Sequence, residues 1–140
     1  MKPPIIEILK EKILVCDGAT GTMLYSKGFP PSACYELLNS RSPDVIQRLH
    51  EDYIKAGADI IETNTFGANR TKMAHHNEQS NVKSINRQGA LIAGRAAAGN
   101  SVYIAGSIGP LGKLKPDETL SPSQIEEIYK EQAEGLLEGG

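Results

Sequence analysis

Ile60-Ile61-Glu62-Thr63-Asn64-Thr65-Phe66-Gly67-Ala68-Asn69 decides the fold. A short apolar run enters it from Gly57-Ala58-Asp59, and a cluster of hydroxyls, amides and glycine leaves it. That abrupt change of character marks a buried strand ending in a polar loop. Two other stretches repeat the plan. Ile13-Leu14-Val15-Cys16 runs into Asp17-Gly18-Ala19-Thr20-Gly21-Thr22, and Val102-Tyr103-Ile104-Ala105 runs into Gly106-Ser107-Ile108-Gly109-Pro110. Three apolar strands with three polar, glycine-rich exits point to one site at the carboxyl end of a parallel sheet.

Helical signals fill the intervals. Ser42-Pro43-Asp44 combines a capping hydroxyl, a proline at the first helical position and an acid in the first turn. Val45, Ile46, Leu49, Tyr53 and Ile54 follow at helical spacing, and Gly57 closes the helix. Ser80 or Asn81 caps a long helix with Val82, Ile85, Ile92, Ala93 and Ala96 inward; Gly99-Asn100 stops it. Ser121-Pro122-Ser123-Gln124 is a capping box ahead of Ile125, Ile128, Tyr129, Gln132, Leu136 and Leu137. Shorter helical pieces are expected over Pro3–Lys12, at Met23-Leu24-Tyr25 and at Tyr35–Leu38. The loop after the third strand is long and holds Pro110, Gly112, Pro116 and charges up to Glu118.

The resulting order is βαβαβα, with strands starting near residues 13, 60 and 102. The unbroken apolar character of Ile13–Cys16 suits a strand buried on both faces. Right-handed crossovers then give a parallel sheet, either an open doubly wound one or part of a (βα)8 barrel. The last helix ends at Gly139-Gly140 where a fourth strand is due, so the chain is expected to be the first part of a larger domain.

Bulk composition narrows the function classes. With 39% hydrophobic and 23% charged residues in 140, the chain can bury a core and is not a disordered segment. A net charge of −2 without a basic stripe argues against nucleic acid as a partner. No apolar run approaches a membrane span, and the charged N-terminus does not read as a signal peptide, so a cytoplasmic protein is expected. Cys16 and Cys34 are not spaced as a metal knuckle, and Cys16 reads as a buried thiol at a strand end.

Few residues announce chemistry on their own. Asp17-Gly18-Ala19-Thr20-Gly21 fails both as a dinucleotide fingerprint and as a P-loop. Asp17 suits a cationic group such as a substrate ammonium, or alternatively caps its own turn through an Asx bond. Glu62, the one charge in its strand, points either into the site or toward a helix. Thr63, Asn64 and Thr65 are neutral donors and acceptors, fit for binding rather than acid–base work. His50 reads as a solvated or helix-packing residue, and His75-His76 as a surface pair. No cluster has metal spacing and no nucleophile–base pair stands out.

Taken together these motifs resemble the homocysteine S-methyltransferase family. The residues that carry the resemblance are Asp17-Gly18-Ala19, Gly21-Thr22, Pro43-Asp44-Val45, His50, Tyr53, Ala56-Gly57-Ala58-Asp59-Ile60-Ile61, Thr63-Asn64-Thr65-Phe66-Gly67-Ala68 and Ala105-Gly106-Ser107-Ile108-Gly109-Pro110. The similarity extends to the homocysteine-binding domains of cobalamin-dependent methionine synthases, and to bifunctional enzymes joining such a domain to a methylenetetrahydrofolate reductase. Thr20 stands where the family more often has a bulkier residue such as Met. The resemblance implies that residues 1–140 are the N-terminal part of a homocysteine-binding (βα)8 barrel domain. It implies methyl transfer to the zinc-activated thiol of homocysteine, giving methionine. The zinc would sit on three cysteine thiolates from later strands that this sequence lacks, so Cys16 and Cys34 are not ligands. A methyl donor or corrinoid domain is the implied partner, with cobalamin and methyltetrahydrofolate engaged through other domains. Substrate-binding residues carried over are Asp17 and Gly18 for the amino-acid end, and Thr63, Asn64, Thr65 and Gly67 on the second strand's loop. A self-contained open α/β binding module without catalysis is the alternative.

Overall fold

Parallel pairing joins all three expected strand segments. The computed structural model describes residues 2–112 and 119–140, so Pro116 and Glu118 lie outside the described residues. Strand β1 (Ile60–Glu62) pairs in parallel with β2 (Tyr103–Ala105), with Ile61 opposite Ile104 and Glu62 opposite Ala105. The first segment joins through one parallel bridge, Cys16 to Ile60. There Ile60 N donates to Val15 O at 3.1 Å and Asp17 N donates to Ile60 O at 2.9 Å. The spatial order is therefore the chain order.

The first segment corrects one expectation. Ile13–Cys16 is not a strand buried on both faces: Ile13 is 91% exposed and Val15 57%. Among the described residues the one strand it pairs with is β1, through the bridge at Ile60. An apolar sequence reports a capacity for burial and not the presence of a partner.

The helices are α1 (Ile5–Ile8), α2 (Thr20–Ser26), a 3-10 turn (Tyr35–Leu37) running into α3 (Leu38–Arg41), α4 (Pro43–Lys55), α5 (Arg70–Ala74), α6 (Val82–Ala97) and α7 (Pro122–Gly139). Helix α1 is shorter than expected and buries nothing. Helix α4 starts at Pro43 as read, although the Ser42 side chain makes no capping bond. Beyond its end, Gly57 takes φ +102, a left-handed turn that favours glycine. The capping box of α7 is formed, with Ser121 N donating to Gln124 Oε1 at 2.8 Å.

Helices α4, α6 and α7 pack side by side over the sheet. Ile61, Ala93, Ala97 and Val102 form one cluster under β1, while Leu24, Leu38, Ile46, Leu49 and Ile92 form a second among α2, α3, α4 and α6. Full burial of each such Ile or Leu contributes about 1.5–3 kcal/mol. Helices α6 and α7 approach closely because α7 lacks side chains at the contact. A Cβ on Gly135 would lie 2.6 Å from Lys83 O, and one on Gly139 2.5 Å from Arg87 O. Since Ile61 faces the helices, strand alternation turns Glu62 to the opposite face.

His50 resolves as a packing residue. It is fully buried on α4, and neither ring nitrogen has a hydrogen-bond partner among the described residues. Burial lowers its pKa from the ordinary 6.5 to about 4. The unfolded chain therefore binds a proton that the folded protein refuses, and stability falls as pH drops from about 6.5 through about 4. The full loss is on the order of 3 kcal/mol. We expect His50→Leu to unfold in urea with a free energy that changes less than the unsubstituted protein's between pH 7 and pH 4. Parallel pH profiles for the two proteins would contradict this.

Candidate functional site

Asp17, Glu62 and Ser107 stand at the carboxyl exits of the three parallel segments, and the structure brings them together. Asp17 Oδ2 accepts from Glu62 N at 3.0 Å, so the carboxylate ties the first segment to β1. Ser107 Oγ donates to Glu62 Oε2 at 2.9 Å. Cys16 Sγ donates to Asp17 Oδ1 at 3.4 Å and lies 3.9 Å from Glu62 Oε1. One ligand atom from each of Cys16, Asp17 and Glu62 falls within 4.8 Å of the others.

The electrostatics of this cluster favour a cation. Among the described residues, no lysine or arginine forms a salt bridge with Asp17 or Glu62. Burial raises the Asp17 carboxyl above its ordinary pKa and the Glu62 charge adds to this, against the bond from Glu62 N–H and the Cys16 thiol. Two unit charges about 4 Å apart repel by about 1–4 kcal/mol between bulk water and a surface-like dielectric. A positive group placed between them removes that repulsion.

A thiolate-bound metal fits less well. Cys16 is exposed rather than buried, yet partial desolvation, followed by the Asp17 and Glu62 carboxylates, raises its thiol pKa. Cys34 is pushed up to about 11, first by burial and then by Glu36. Both shifts run against the thiolate form that a metal takes as its ligand. The two thiols also belong to separate surroundings: Cys34 donates to Glu36 Oε2 at 3.3 Å. These residues do not form a three-thiolate zinc set. His75 and His76 are exposed.

The loop after β1 is buried and internally satisfied. Thr63, Asn64 and Thr65 are 4%, 7% and 0% exposed. Thr63 Oγ1 and Thr65 Oγ1 are 2.6 Å apart. Asn64 Nδ2 donates to Tyr35 O at 2.8 Å and to Asn39 Oδ1 at 3.0 Å. Gly67 N donates to Glu36 Oε1 at 2.6 Å, and a Cβ there would collide with the same oxygen. Gly18 is confined from the other side: a Cβ would sit 3.1 Å from the Tyr53 hydroxyl, which donates to Ala19 O at 3.1 Å. Asp17 thus belongs to the acidic cluster, and Gly18 lies beside it. The side chains of Thr63, Asn64 and Thr65 are engaged inside the protein.

Three buried amides hold that loop's backbone. Asn39 donates to Asn64 O at 2.8 Å, Gln132 to Thr65 O at 2.7 Å and Asn86 to Ala68 O at 2.7 Å. The sequence does not single out Asn39, Asn86, Ser107 or Gln132 as functional positions; Gln132 reads there as one residue of the last helix. A signal was present for two of them. Asn86 and Gln132 sit at helical positions whose neighbours are buried, and a polar side chain there has to find a partner. A separate cavity of about 360 Å³, lined by Thr63, Ile104, Ile108 and Leu136 among others, is almost wholly apolar and excludes the carboxylates.

Comparison with known proteins places the chain. A family profile described as homocysteine S-methyltransferase matches residues 14–140. Methionine synthases of Mycobacterium tuberculosis and Mycobacterium leprae are each 33% identical over 147 aligned positions, covering 97% of this chain and 12% of theirs. The homocysteine methyltransferase MmuM from Escherichia coli superposes with a TM-score of 0.82 in its oxidized form and 0.81 in its metallated form. Sequence identity is 23% in both cases, and the match covers 99% of this chain. The chain spans about half of those structures, 54% and 55%, and a small part of the methionine synthases.

The amide scaffold gives a direct test. Asn39→Leu removes the donor to Asn64 O and the acceptor for Asn64 Nδ2. We expect it to destabilise the fold by about 1–3 kcal/mol in urea unfolding, the cost of an unsatisfied buried group. A loss below about 0.5 kcal/mol, within the ordinary range for surface substitutions, would contradict it.

Proposed function

The chain belongs to the homocysteine S-methyltransferase family, and from that membership we propose that these residues form the amino-acid-binding side of a methyltransferase that converts homocysteine to methionine. The observation that carries the proposal is the pair of carboxylates at adjacent strand exits. Asp17 is oriented by Glu62 N–H, and no described lysine or arginine neutralises either acid. Homocysteine supplies the matching cation in its α-ammonium. Asp17 receives that ammonium, and the Gly18 backbone lies against the amino-acid end of the substrate.

Thr63, Asn64, Thr65 and Gly67 take the role of wall in this proposal. Their polar groups fix the loop, and the loop fixes the height and tilt of the exits. Asp17 does not act on the sulfur: it is committed to the ammonium. In the transfer itself the deprotonated sulfur of homocysteine attacks the methyl carbon, a carbon–sulfur bond forms, and the donor leaves with the electron pair of its broken bond. A free thiol has a pKa near 8.5, so deprotonation has to be assisted at neutral pH. Cys16 and Cys34 do not build the three-thiolate zinc set, so no zinc-dependent step is assigned to this chain. Completion of a (βα)8 barrel, and delivery of the methyl group by a corrinoid domain with methyltetrahydrofolate as its source, belong to the same proposal.

Isothermal titration of homocysteine under reducing conditions tests it. Asp17→Asn keeps an acceptor for Glu62 N–H while removing the charge, so the fold is retained. We expect affinity to fall about 10- to 100-fold, the worth of one charged hydrogen bond. Because the Asp17 carboxyl titrates above its ordinary range, affinity of the unsubstituted protein should also decline as pH falls through that range. Unchanged affinity in Asp17→Asn would contradict the assignment.

A further inference from the structure

We infer that Glu62 is the second carboxylate on the substrate ammonium, and that Ser107 is the positioning residue that holds it there. The inference rests on the proposed homocysteine site and adds its selectivity for thiols that carry an amino group.

The hydrogen bonds have a direction. Thr65 Oγ1 donates its single proton to Ser107 O at 2.8 Å. The 2.6 Å contact between the two threonine hydroxyls must then be donated by Thr63. Thr63 Oγ1 in turn accepts from Ser107 N at 3.0 Å. Ser107 is thereby fixed through both its N–H and its carbonyl by one pair of buried hydroxyls. What remains free to act is its side chain, and Ser107 Oγ donates to Glu62 Oε2 at 2.9 Å.

That bond selects one orientation of a flexible side chain. Strand alternation already turns Glu62 away from the helices. Ser107 then sets its carboxylate so that Oε1 lies 3.9 Å from Cys16 Sγ, the same thiol that donates to Asp17 Oδ1 at 3.4 Å. A primary ammonium has three N–H donors. One directed at Asp17 and one at Glu62 satisfy it better than a single acid, and the shared positive charge relieves the repulsion between the two.

The test compares homocysteine with 4-sulfanylbutanoate, the same thiol acid without its amino group, by calorimetric titration. We expect Glu62→Gln to weaken homocysteine binding about 10-fold or more and to leave the des-amino thiol unchanged within about twofold. Ser107→Ala should weaken homocysteine binding by a smaller factor, about 3- to 10-fold, again sparing the des-amino thiol. Ser107→Thr keeps the hydroxyl and should restore the preference. Equal losses for both thiols in Glu62→Gln and Ser107→Ala would show a structural role only and overturn the inference. So would unchanged homocysteine affinity in Glu62→Gln, even with Asp17→Asn impaired, which would leave the proposed function standing. Failure of the unsubstituted protein to bind homocysteine would overturn both.

Discussion

A buried loop has to find partners for its backbone hydrogen bonds inside the protein. The segment after β1 turns inside the protein, where Thr63, Asn64 and Thr65 are buried. Its carbonyls at Asn64, Thr65 and Ala68 are captured by the amides of Asn39, Gln132 and Asn86, from α3, α7 and α6. A further carbonyl, that of Phe66, accepts from Gly109 N on the neighbouring exit at 2.9 Å. Without these partners each buried carbonyl would cost about 1–3 kcal/mol. The rest of the structure depends on their supply: three helices have to arrive at one loop with an amide each.

That requirement explains the close packing behind the loop. Gly89 brings α6 within reach, since a Cβ there would lie 2.5 Å from the Thr65 methyl and 2.9 Å from Asn39 Nδ2. Gly135 and Gly139 let α7 settle against α6 so that Gln132 reaches Thr65 O. The loop is thus a rigid joint between helix layer and sheet. On its far side the Thr63–Thr65 pair passes the same rigidity to Ser107 and so to the acidic exits. Packing at the back of the molecule and charge at the front are connected through two hydroxyls.

Much of this was legible in the sequence, for definable reasons. The strands at Ile60 and Tyr103, the reversal at Gly57 and the capping box at Ser121 are set by local chemistry, and local chemistry is what a sequence displays. The first segment was over-read because Ile13 and Val15 are apolar whether or not a neighbour covers them. Asn69 stands ahead of helix α5, and its side chain accepts from Lys72 N. Thr63, Asn64 and Thr65 looked like binding groups because hydroxyls and amides look alike whether turned to a ligand or to the interior. Only the backbone direction distinguishes the two, and Glu62, a single residue earlier, is the one that faces out. Asp17 read equally well as a turn cap; its actual partner, Glu62 N, comes from a strand distant in sequence.

Amide chemical-shift mapping with homocysteine tests the division between a rigid wall and a charged front most directly. On titration into the 15N-labelled protein, the largest changes should fall at Asp17, Gly18, Glu62 and Ser107, while the Ala68 amide, bonded to Thr65 O at 2.9 Å, stays nearly fixed. Changes centred on the apolar cavity between Ile104 and Leu136, with none at Asp17 or Glu62, would contradict the account.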